Sequence, residues 1–171
     1  LASRGTKAPY YGNIAVSATL GASNLLPVSI TNIPLADARE AAYAAHYTGP
    51  LLNGHLARIT VLNMRGYNTT VDGQGLEPLP NSPPRSSQSY TFAVSGVRNG
   101  ELVGIQRLLA NGSDAITGIT FDGWSYNYEL ALGKPVRLHN VTVGETAVVK
   151  NGQVTVQVPD SSAVVLNFPL L

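Results

Sequence analysis

The chain has 171 residues, with 11 Lys and Arg against 10 Asp and Glu and a net charge of +1. That length holds one domain with a real core but not two large ones, and the balanced charge leaves no basic excess for a phosphate backbone, which argues against a dedicated nucleic-acid binder. Cysteine is absent, so disulfides, thiolate catalysis and cysteine-held metal centres are excluded together. No apolar run approaches the roughly 20 residues of a membrane-spanning helix.

Hydrophobic residues make up 44% and charged residues 12%, a composition that folds rather than staying disordered. The opening, LASRGTKAPYYGN, lacks a charged-then-apolar leader. The single methionine is Met64. The chain is therefore expected to be trimmed or to be part of something longer.

Residues 10–23 fit two periods. Tyr11, Ile14, Ala15 and Ala18 lie on one helix face, whereas Ile14, Val16, Ala18 and Leu20 alternate as in a strand. Alanine favours the helix, but periodicity leaves both open. Residues 55–63 (HLARITVLN) form a β-branched run expected to be a strand. Residues 76–89 carry four prolines and four serines and read as an exposed loop.

Beyond that loop the alternation is strong. Tyr90, Phe92 and Val94 share one face of residues 89–95, and Val154, Val156 and Val158 share one face of residues 153–158. Residues 102–109, 116–121, 136–143 and 162–168 are further strand candidates. Asn151-Gly152 suits a type I′ turn and predicts a hairpin between residues 146–150 and 153–158. Asn99-Gly100 separates residues 90–97 from 102–109 in the same way. Many short strands with regular turn signals indicate an all-β, antiparallel sandwich or barrel.

Chemistry-bearing constellations are few. His46, His55 and His139 have no metal-ligand spacing, so no metal site is expected. Most carboxylates sit beside turn residues, and no pair stands out for acid–base work. There is no G-x-S-x-G elbow, Walker A sequence or dinucleotide fingerprint, so no cofactor is expected. Three sequons occur, at Asn68, Asn111 and Asn140, a number close to chance for this composition. Residues 121–128 (FDGWSYNY) concentrate aromatics. Trp124, Tyr126 and Tyr128 would share one face of a strand there, a candidate sugar-stacking strip. The competing reading is core or docking packing.

Five segments in order give a family resemblance: APYYGNIAVSATLG, EAAYAAHY, LARITVLNMRGYN, GIQRLLANGSDAITGITFDGWSYN and GQVTVQVPDSSAVVLNF. Their order resembles the C-terminal part of family 79 glycoside hydrolases, the β-glucuronidase and heparanase-like enzymes, especially fungal ones. The resemblance implies a β-sandwich over residues 25–171, preceded by residues 1–24 as the end of the last unit of a (β/α)8 barrel. It implies retaining hydrolysis of a glucuronic acid unit by two glutamates on earlier barrel strands. None of Glu40, Glu77, Glu101, Glu129 or Glu145 has a matching context, so no catalytic residue is expected in this chain.

The partner implied is the remainder of the barrel polypeptide, and a strand preceding that barrel can complete the sandwich. Tyr10 and Tyr11 are implied as holders of a sugar carboxylate, with Gly12 letting a backbone N–H approach it. Interface packing is the alternative for both tyrosines. The expected location is extracellular, without a membrane or nucleic-acid partner. A free-standing sandwich that binds carbohydrate or protein is the second functional expectation.

Overall fold

A computed structural model of the chain describes residues 8–21 and 26–170. The boundary expected between residues 24 and 25 falls outside them. The chain forms α1 (Ala8–Leu20), β1 (Val28–Ile33), β2 (Glu40–Tyr47), β3 (Leu56–Asn63), β4 (Ser87–Ala93) and β5 (Leu102–Leu109). It continues through β6 (Thr120–Phe121), β7 (Trp124–Ser125), α2 (Tyr128–Ala131), β8 (Val136–Arg137), β9 (Glu145–Val148), β10 (Gln153–Pro159) and β11 (Ser162–Asn167).

The large sheet runs β1-β2-β3-β11-β5, antiparallel throughout. The second edge of β5 is shared. Its first half pairs with β9 and its last two residues with β6, from which β7 and β8 extend the sheet. β4 and β10 form a separate two-stranded sheet, with Phe92 opposite Val154 and Tyr90 opposite Val156.

Alternation explains the core. Val154, Val156 and Val158 of β10 and Tyr90 and Phe92 of β4 point inward, while Gln153, Thr155 and Gln157 face solvent. They meet Ile59, Val61, Val103, Ile105, Val164 and Leu166 of the large sheet. The result is an all-β sandwich of antiparallel strands. Leu166 is wholly buried, and cutting it to Ala is expected to cost about 2–5 kcal/mol.

The reverse face of the large sheet carries α1. Tyr11, Ala15 and Thr19 recur every fourth residue and are all buried, which places them on one helix face. Ala15 packs with Val165 and Phe121, and Ile14, Ala18 and Leu108 close around them. The Thr19 hydroxyl donates to the Ala15 carbonyl at 2.8 Å and lies 2.6 Å from the Thr60 hydroxyl. The helix stops at Gly21, whose φ of +85° is the left-handed conformation that glycine adopts without strain. Its N–H caps the Ser17 carbonyl at 2.9 Å. Tertiary packing thus resolves the ambiguity in favour of the helix as far as Leu20, and residues 22 and 23 of that stretch lie outside the described residues.

Three expectations need correction. Residues 136–143 form a strand only over Val136–Arg137, and Asn140 lies in the following turn. The Asn151-Gly152 turn has the positive φ expected of it, 51° and 70°, but it does not close a two-strand ribbon. β9 pairs with β5 in the large sheet and β10 with β4 in the small one. Only Lys150 and Gln153 bridge across the turn. Asn99-Gly100 likewise carries the chain from β4 in one sheet to β5 in the other. Alternation marks a strand but does not name its neighbour.

Candidate functional site

α1 has a second side. Val16 is 57% exposed, Leu20 46% and Tyr10 46%. A helix apolar on both faces ordinarily has a partner on each. Between α1 and the sheet runs an apolar groove of about 430 Å³, bordered by Gly12, Val16, Leu20, Ile30, Tyr43 and Leu62. On the other flank a smaller groove of about 250 Å³ is bordered by Tyr11, Met64, Leu108 and Ile119. Ile30, Tyr43 and Met64 are exposed there. The α1 side of the molecule therefore carries several exposed apolar side chains beside two grooves, a surface of the kind that marks a contact with another polypeptide.

The start of α1 meets an aromatic corner. The rings of Tyr10, Tyr11 and Tyr126 contact one another edge-to-face, with centroids 5.5 to 6.1 Å apart. Tyr11 is 2% exposed. Its hydroxyl lies 3.3 Å from Ser125 Oγ and accepts the Tyr126 N–H at 2.8 Å. Burial pushes the Tyr126 hydroxyl pKa up, and the neighbouring Tyr10 and Tyr11 add to the shift. Tyr10 and Gly12 occupy the exposed side of the helix, and Tyr11 the buried side.

The aromatic strip of residues 124–128 does not share one strand face. β7 ends at Ser125, and α2 begins at Tyr128. Trp124 is 41% exposed, with the Arg137 guanidinium 5.5 Å from its ring centroid. Tyr126 packs against Tyr10 and Tyr11, and Tyr128 is half-buried.

The acidic side chains with resolved partners do structural work. Asp37 accepts from Arg39 and Arg65, and Glu40 forms an ion pair with Arg65. Arg107 forks onto both oxygens of Glu145 at 2.7 and 2.9 Å and donates to the Gln157 carbonyl at 2.9 Å. Asp114 accepts the N–H groups of Thr69 and Thr70 and the Thr70 hydroxyl. Hydrogen bonds from Arg39 hold the Asp37 carboxyl well below the usual range, and the Thr70 hydroxyl lowers that of Asp114. Among the described residues no group of His, Cys, Asp or Glu is placed to hold a metal ion. No helix among them is long and apolar enough to cross a membrane.

Sequence reasoning missed the arginine anchors. Arg85 donates to the carbonyls of Ala110, Asp160 and Ser161 and closes the proline-rich loop onto the sandwich. No local pattern marks such a residue. The apolar surface around α1 did leave a trace, in the doubly periodic apolar residues of its sequence.

The family model for the glycosyl hydrolase family 79 C-terminal beta domain matches residues 42–165. The chain belongs to this family. The family 79 domain is 48% identical over 167 residues to a β-glucuronidase of Aspergillus niger, covering 96% of this chain and 29% of that protein. It is 44% identical over 156 residues to a β-glucuronidase of Neurospora crassa, covering 81% of this chain and 27% of that protein. The chain thus spans less than a third of these curated relatives. Its fold also matches a crystal structure of a 4-O-α-L-rhamnosyl-β-D-glucuronidase from Fusarium oxysporum, with a TM-score of 0.68 at 21% identity, over 96% of this chain and 30% of that one. A (β/α)8 barrel takes about 250 residues. The family 79 domain is a sandwich with a helix on its back.

Proposed function

We propose that this family 79 domain is the supporting sandwich of a β-glucuronidase-type glycoside hydrolase, docked through its α1 face onto the catalytic barrel of the same polypeptide. The observation that carries this is the two-sided helix. α1 buries Tyr11, Ala15 and Thr19 against the sandwich while Val16 and Leu20 stand exposed beside an apolar groove. The length of the relatives supplies chain for a barrel, and α1 lies at the start of the described residues. In this reading residues 1–24 belong to the last barrel unit. The family resemblance supplies one more contact, a strand from before the barrel. β4 and β10 each have a single neighbour among the described residues, so either edge offers a place for it.

The same reading gives the tyrosines different tasks. Tyr10 and Gly12 face outward and would meet the sugar at the barrel rim. Tyr11 faces inward and positions Tyr10 through ring contact. In this reading the catalytic glutamates lie outside this chain, and the enzyme is extracellular, as the family resemblance implies.

The test is a pair of assays. The isolated chain is expected to leave an aryl glucuronide untouched. In the full-length enzyme Tyr10→Phe is expected to raise KM while the protein stays folded. Turnover by the isolated chain would overturn the reading. The Trp124, Tyr126 and Tyr128 strip supports a free-standing carbohydrate-binding module less well, because Tyr126 is spent on the α1 contact and Arg137 lies against Trp124.

A further inference from the structure

The three sequon asparagines are all exposed and lie in loops or turns. None of them borders either groove beside α1. Asn111 and Asn140 both border a cavity of about 510 Å³ that the Arg107–Glu145 pair also lines. Ala110, Gly112 and Ser113 on either side of Asn111 do line the smaller groove, whereas no residue near Asn140 borders either one.

Exposure of the asparagine is only half of what a sequon needs, because the transferring enzyme must also engage the hydroxyl two residues on. Here the three sites differ. For Asn68 that residue is Thr70, whose hydroxyl donates to Asp114 and accepts the Gly75 N–H at 2.8 Å. For Asn111 it is Ser113, whose hydroxyl accepts the Tyr67 N–H at 2.8 Å and also contacts the Tyr67 carbonyl and the Ser161 hydroxyl. Both hydroxyls hold together the loops that follow β3 and β5. For Asn140 it is Thr142, which is exposed and makes no hydrogen bond among the described residues. Nearby Val143 is 37% exposed and offers apolar surface for a first sugar ring to cover.

We propose that Asn140 is an N-glycan attachment site that stays open to the transferase after folding, whereas folding closes Asn68 and Asn111. In the transfer, Asn140 Nδ2 bonds to C1 of a sugar carried on a lipid pyrophosphate. The C1–O bond to the pyrophosphate breaks, the lipid pyrophosphate leaves with the electron pair, and Nδ2 gives up one proton. The glycan then stands over the cavity beyond β5 that Asn140 borders.

The experiment takes the full chain made in bacteria, folded and free of glycan. It is incubated with a single-subunit oligosaccharyltransferase and a lipid-pyrophosphate-linked oligosaccharide, with the same chain held in denaturant before dilution as the comparison. Tryptic cleavage puts the three sequons on separate peptides, because Arg65, Arg85, Arg107, Arg137 and Lys150 flank them. The expected result is one added glycan on the folded chain, on the peptide with Asn140, and gain at Asn68 and Asn111 only after unfolding. Thr142→Ala should lose that glycan and Thr142→Ser should keep it. Equal modification of Asn68 or Asn111 in the folded chain overturns the proposal. So does a folded chain in which Asn140 stays bare.

Discussion

The backbone N–H of Tyr126 donates to the Tyr11 hydroxyl across 2.8 Å, joining the first turn of α1 to the corner after β7. These residues are 115 positions apart, so the bond exists only once the helix has docked. Tyr11→Phe keeps the ring and removes the acceptor, leaving a partly buried N–H without its partner. A loss of about 1 kcal/mol is expected, seen as a fall in Tm of about 2–4 °C for a chain of this size. Tyr11→Ala also removes the buried ring and should cost about 3–5 kcal/mol. If Tyr11→Phe melts like the parent, the hydroxyl does not tie the helix down.

Arg107 makes the corresponding tie on the other side of the large sheet. Its fork onto Glu145 joins β5 to β9, and its bond to the Gln157 carbonyl joins β5 to β10. Both side chains are less than one-third exposed, so solvent screens the pair only in part. Lysine has one compact charge and cannot reproduce the fork. Arg107→Lys is expected to lose about 1–2 kcal/mol, and Arg107→Ala about 2–3 kcal/mol. Urea titration measures both, and equal midpoints for parent and alanine variant would remove Arg107 from the account.

Stability should fall in acid through Asp37 and Asp114. Each has a folded pKa below its unfolded value, so its contribution is complete above the ordinary aspartate range of about 4. It is lost as pH drops through that range toward the folded pKa. The cause at Asp37 is chiefly the hydrogen bond from Arg39. Asp37→Asn should therefore flatten the Tm profile between about pH 4 and pH 2. In base the sign reverses. Burial, with Glu40 beside it, pushes the Tyr90 hydroxyl up to about 12. That hydroxyl is buried without a well-formed hydrogen bond. Its contribution is complete below about pH 10 and is lost as pH rises toward the folded value. An absorbance titration of tyrosinate should lose its last-titrating group in Tyr90→Phe.

How much of this was legible beforehand depended on the range of the signal. The alternating faces of residues 90–94 and 153–158 follow from a period of two, so both strands and their buried sides were readable. The Asn151-Gly152 turn was readable too, because positive φ there suits these residues. Gly152→Ala is expected to cost about 1 kcal/mol, measured by thermal melting. The partners of β9 and β10 were not readable, since which edge a strand finds depends on residues far away in sequence. β9 goes to β5 and β10 to β4 because Val149 and the β10 valines bury on the same core from different sheets. The helix of residues 8–20 was ambiguous for the same reason, as Val165 and Phe121 select its face. At the candidate site, Tyr10 and Tyr11 could be singled out, but their opposite orientations needed the docked helix.

The α1 face yields a test that separates support of the barrel from simple solubility. Val16 and Leu20 make up little of the sandwich core, so aspartate at either position should leave the domain folded. In the isolated chain their exposure predicts self-association through the apolar surface. Val16→Asp or Leu20→Asp should therefore make the isolated chain more monodisperse in size-exclusion chromatography. In the full-length enzyme the same substitutions would bury an unpaired charge against the barrel, which is costly. Soluble enzyme should fall sharply, and a limited protease should then release the sandwich. Variants that behave alike in both settings, with normal yield of full-length enzyme, would show that α1 meets no barrel. The helix would then be an ordinary back layer of an independent sandwich.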